Sequence, residues 1–321
     1  SCTPSRKENS TAAENASSRE EQDEWTPCLF RAQRHSHRHS QAMVARWLFL
    51  ALCVSPADAQ RGIHWVIRVS SLEETLRFTS EVLGMRVLRH EENDAACPLT
   101  CNGEFDTAWS KTMVGYGAED ENYALELTYN YGVEKYERGE GLQRFIIRIP
   151  HGGAAQALAR AESLGYGSHD GVVTGPDGYR YELLGEDSSD GRPEPFEMIV
   201  LRASDPSALA DWYASTLGMR VVAHDHEAVT MTFDAQKDIL FMIERAATPP
   251  KITQWDGRNA FALPAEAIRS IYARVKAEAP SLIVHEVPTA PIQRQRLSPA
   301  YSPPPTARPR HLACACARAC V

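Results

Sequence analysis

His64, Glu126, Arg144 and Glu182 are the side chains whose types and settings in this chain could carry chemistry. Glu126 sits in the run Ala124-Leu125-Glu126-Leu127 and Glu182 in Tyr181-Glu182-Leu183-Leu184, so each interrupts an apolar stretch. A carboxylate in such a place is costly unless a cation or hydrogen-bond donors satisfy it. Either a metal ion or a salt bridge would do so. His64, in HWVIRV, has on its own the setting of a core or rim residue. Arg144 can supply a salt bridge but not a metal bond: guanidinium stays protonated, has no available lone pair and repels a neighbouring dication. It can pair with Glu126 or Glu182. Gln143 faces the opposite side of a regular strand and reaches the Arg144 face only through a bulge. A metal-bound site and a metal-free, ion-paired cleft therefore both stand.

The elements that position these groups follow from side-chain periodicity. Successive strand residues alternate faces, so His64, Val66 and Arg68 point together, as do Glu126, Thr128 and Asn130. Apolar spacing at Leu72, Leu76, Val82 and Leu83, and at Leu209, Trp212, Tyr213 and Leu217, predicts two amphipathic helices. Gly84 and Gly218 would end them in the left-handed conformation. Residues 123–129, 145–149 and 179–184 read as strands, 154–164 and 265–277 as helices, and 282–287 as a short strand.

Leu83-Gly84-Met85-Arg86-Val87 recurs as Leu217-Gly218-Met219-Arg220-Val221, an offset of 134 residues. At that offset HWVIRV overlays Met198 to Ala203, which marks the middle of the chain as a tandem duplication. The first copy spans 60–187, a linker 188–195, and the second copy 196–287; the second reads as lacking its last turn and strand. The expected class is α+β. In the second copy Met198, a position near Phe241, and Arg258 stand where His64, Glu126 and Arg144 stand in the first. Glu244, an odd number of residues from Phe241, is expected on the other face.

Composition bounds the rest. The chain has 321 residues and a net charge of −8, room for two cores but a poor surface for nucleic acid. Residues 1–42 read as a disordered leader. Residues 43–59 carry a short apolar run and an Ala57-Asp58-Ala59 pattern, read either as a signal peptide or as an apolar strip, too short for a stable membrane anchor. The first reading implies the secretory pathway, the second cytoplasmic or mitochondrial residence. Seven of the 20 prolines fall between Pro288 and Pro309, so 288–321 is expected to be an extended, disordered tail. Of eight cysteines only Cys97 and Cys101 fall in the folded region, and they read as loop residues.

HWVIRV, EVLGMRVLRHEE, LELTYNYG and PDGYRYELL, in that order and spacing, resemble glyoxalase I and the wider vicinal-oxygen-chelate superfamily. The resemblance covers 62–287 and implies tandem, paired βαβββ units around a concave sheet. It implies further that His64, Glu126 and Glu182 hold a divalent metal, Zn or Ni, with Arg144 in the fourth ligand position. Glu182 would also move the substrate proton while the metal steadies the enediolate oxygens. Arg68 and Asn130 match positions that hold a glutathione tail, at a pole roughly 13 Å from His64 and Glu126. The implied activity is lactoylglutathione lyase chemistry on the hemithioacetal of methylglyoxal, in a chain that can form a homo-oligomer. The alternative is a non-catalytic, metal-free member that binds a small molecule or a partner.

Overall fold

A computed structural model describes residues 60–96, 105, 107–150, 153–185, 194–234, 238–253, 255–283 and 314–316. The leader, the 43–59 segment, Cys97, Cys101 and most of the tail lie outside the described residues.

The first repeat runs β1 (Arg61–Arg68), α1 (Leu72–Glu81), β2 (Arg86–Asn93), β3 (Trp109–Gly115) and β4 (Ala124–Asn130), then β5 (Leu142–Arg148), α2 (Gly153–Ser163), β6 (Ser168–His169), β7 (Val172–Thr174) and β8 (Arg180–Leu184). The second runs β9 (Phe196–Ala203), α3 (Pro206–Leu217), β10 (Arg220–His224), β11 (Ala228–Thr232) and β12 (Leu240–Arg245), then β13 (Arg258–Ala262) and α4 (Ala265–Glu278). This is the expected α+β architecture. Ser71 and Asp205 cap α1 and α3 by accepting from the Glu74 and Ala208 amides. Gly218, at φ 78°, closes α3 in the left-handed region as expected, whereas α1 ends at Val82 in the helical region and Gly84, at φ 73°, turns the chain two residues later.

The sheets exchange modules between the repeats. The first has the order β14-β13-β1-β4-β3-β2 and the second β10-β11-β12-β9-β5-β8-β7-β6. Thus β13 of the second repeat lies antiparallel on β1, and β9 lies antiparallel on β5 of the first. Each sheet takes strands from both halves of the sequence.

Two expectations for the C-terminal part change. Leu282 belongs to a 3-10 turn, Pro280–Leu282, rather than to a strand, because Pro280 starts a turn directly after α4; residues 284–287 lie outside the described set. The tail was expected to lack regular structure. Yet Cys314–Cys316 forms β14, paired antiparallel with Ala260–Ala262. The open side of β13 offers free backbone donors and acceptors, and an alternating Ala-Cys stretch can satisfy them without proline.

The core lies where the sheets pack back to back. Trp65 of β1 meets Phe145 of β5 edge-on, Phe145 stacks on Tyr181 of β8, and Tyr123 meets Phe196. Phe78 of α1 packs on Tyr181 and Tyr166. The alternate residues of β1, β4, β5, β8, β9 and β12 point away from this core, and these carry the polar groups. No helix among the described residues is long and apolar enough to cross a membrane.

Candidate functional site

On the outer face of the first sheet the parallel register sets Val66 beside Glu126, and the antiparallel register sets Val66 beside Arg258. His64 and Glu126 meet there, with Nε2 and Oε2 3.3 Å apart and both side chains about a tenth exposed. Thr128 donates to the other carboxylate oxygen of Glu126 at 3.4 Å. Burial alone would raise the Glu126 pKa. The hydrogen bond and charge of His64, with Lys111 and Arg258, overcome that and hold it at about 2. Lys111, on β3 across from Thr128, also pairs with Glu91 at 3.1 Å.

Arg68 and Asn130 share this face, as alternation requires, but lie under an aromatic cover. Arg68 is 4% exposed and Asn130 fully buried. Trp255 lies over the Arg68 guanidinium at 5.7 Å, Phe105 stacks on Trp255, and Tyr136 packs against both. Tyr136 donates to Asn130 Oδ1 at 3.0 Å. Burial, then the repulsion of Arg258, brings the Arg68 pKa down to about 10. Tyr179 supports the strand by accepting a hydrogen bond from the Arg68 amide on its hydroxyl oxygen at 3.0 Å.

Glu182 is elsewhere. It stands on β8 of the second sheet, where Arg144 donates to it through Nε at 2.7 Å and to Glu244 through Nη2 at 2.9 Å. The expected convergence of His64, Glu126 and Glu182 assumed that the two modules of one repeat share a sheet. The module exchange divides them: β1 and β4 go to one sheet, β5 and β8 to the other. Of the residues expected at the metal, the structure brings His64 and Glu126 together and leaves Glu182 with a guanidinium.

Glu244 was misread. Its expected face came from placing the counterpart of Glu126 near Phe241. The register instead matches Met242 with Val200, as Glu126 matches Val66. Phe241 and Ile243 are core residues, so Met242 and Glu244 share the outer face. That alternation, apolar at 239, 241 and 243, was the available signal.

The donor chemistry can be tested against a divalent metal. Catalytic metal sites of this kind take three protein ligands, and no group of three or more His, Cys, Asp or Glu able to hold a metal occurs among the described residues. The first sheet offers two donors, with Lys111 and Arg258 acting on the same carboxylate; the second offers two carboxylates already joined by a cation. These residues do not fit a divalent ion.

Comparison with known proteins agrees with the architecture. The family described as Glyoxalase/Bleomycin resistance protein/Dioxygenase superfamily matches residues 62–187 and 196–289. A protein named Glyoxalase 1 from Caenorhabditis briggsae is 32% identical over 229 residues, covering 71% of this chain and 79% of that protein. Glyoxalase domain-containing protein 4 of Rattus norvegicus is 35% identical over 173 residues, 52% of this chain and 56% of that one. The crystal structure of glyoxalase I from Zea mays shares the fold, with a TM-score of 0.53 at 24% identity over 68% of this chain and 80% of that chain. Two matched segments, one per repeat, together with strands in the expected order, make this chain a member of the glyoxalase superfamily.

Proposed function

We propose that this protein binds a small anionic molecule, of the glutathione-adduct class, on the outer face of its first sheet, without a tightly held divalent metal. One observation carries the reading. Arg68 and Arg258 bring two guanidinium groups that repel each other onto one largely buried face, and Glu126 on that face is engaged by His64. An anionic ligand relieves that repulsion, since charge-assisted bonds from guanidinium to carboxylate are strong and directional. The class of ligand comes from relatives whose names include lactoylglutathione lyase.

Calorimetry with S-lactoylglutathione on the chelator-treated full chain tests this. Binding of one equivalent is expected without metal, with affinity at least tenfold weaker in Arg258→Ala. Failure to bind either before or after metal addition would overturn the proposal.

A second reading, lactoylglutathione lyase activity, is favoured by the Glyoxalase 1 relatives, of which this chain covers 79%, and by the meeting of His64 with Glu126. It predicts hemithioacetal turnover that depends on added Ni or Zn and is lost in Glu126→Gln. Metal-independent binding without such turnover decides for the first reading.

A further inference from the structure

The second sheet carries a cluster that the ligand-binding reading does not use. Arg144 lies on β5, Glu182 on the adjacent β8, and Glu244 on β12, with β9 between β12 and β5. Glu244 is therefore two strands from Arg144, roughly 10 Å at ordinary strand spacing, a gap that a long side chain can bridge over Val200. Arg144 does so with two different edges of one guanidinium, Nε to Glu182 and Nη2 to Glu244. All three side chains are 20–30% exposed, so water reaches the cluster. Two carboxylates, one from each repeat, thus share a single cation.

The register shows that this arginine is a repeated position. Arg144 pairs with Val200 and Arg258 with Val66, which are equivalent across the 134-residue offset. In the first sheet the arginine acts on one carboxylate, already held by a histidine. In the second it is held between two. We infer that Arg144 is the fixed counter-cation of the second sheet, a guanidinium standing where Glu182 and Glu244 would otherwise gather a divalent ion. Guanidinium cannot be displaced as an ion can, because it is tethered to β5. It also ties β8 of the first repeat to β12 of the second. Without it, two uncompensated carboxylates would face one another across β5 and β9. A donor side chain at position 144 would complete a set of three, the number that open metal sites use.

Co(II) uptake by the full chain tests this, read from visible absorption and equilibrium dialysis. Wild type and Arg144→Lys are expected at the same background level. Arg144→His is expected to take up one further equivalent, lost in the double variant Arg144→His/Glu244→Gln. Should Arg144→His fail to fold alone, refolding with Co(II) present is expected to recover it. Wild-type uptake that Glu182→Gln or Glu244→Gln abolishes would overturn the inference. So would a folded Arg144→His that takes up no additional ion, or an unfolded one that Co(II) does not recover.

Discussion

The two sheets place an arginine at the same register and surround it differently. In the first, Arg258 faces Glu126 beside His64, on a face where Arg68 and Asn130 lie under Trp255 and Tyr136. In the second, Arg144 spans two carboxylates in partial contact with solvent. The same backbone therefore supports a histidine–carboxylate pair with an arginine beside it in one sheet and an arginine shared by two carboxylates in the other. What separates them is His64 and Glu126 in the first, whose counterparts are Met198 and Met242, against Glu182 and Glu244 in the second.

The comparison can be broken hardest at Glu126. Its pKa of about 2 lies below the ordinary value of 4.5, so its contribution is present above pH 4.5 and is lost as pH falls toward 2. The size is roughly 3 kcal/mol at pH 7. Urea unfolding of Glu126→Gln is expected to show this gap from wild type at pH 7 and a much smaller one near pH 2.5. A gap that does not change with pH would remove the first sheet's claim to a buried, coupled pair.

Arg144→Ala is expected to cost about 2 kcal/mol, since two charge-assisted bonds go and two carboxylates lose their cation. Because the cluster is partly exposed, 0.5 M NaCl should shrink this cost, while the Glu126→Gln cost at pH 7 should hardly move. Equal salt dependence for the two variants would erase the contrast. The smallest effect is expected from Tyr136→Phe, about 1 kcal/mol for its bond to Asn130 under the aromatic cover. Thermal unfolding would detect it, and a stabilised variant would contradict it.

Much of this was legible in the chain. The LGMRV repeat, the alternation of HWVIRV and LELTYN, and the terminating glycines located the strands and helices because those signals are local. His64 and Glu126 on one face followed from the same alternation. What could not be read locally was the partner of each sheet edge. Whether β5 lies beside β1 or β9 depends on complementarity between strands far apart in sequence, and on that choice rested the position of Glu182. Glu244 was missed by a one-residue slip in aligning β12, which in a strand inverts every side chain. The aromatic cover was hidden for a similar reason: Phe105, Tyr136 and Trp255 come from three separate loops.

The exchange of modules means that neither half of the duplication owns a finished sheet. Each sheet contains a strand pair, β1 with β13 or β5 with β9, that is a joint made by both halves. Although the sequence shows two copies in a row, the two repeats interlock through their shared sheets. The copies must fold together, and a lesion in one is felt in both.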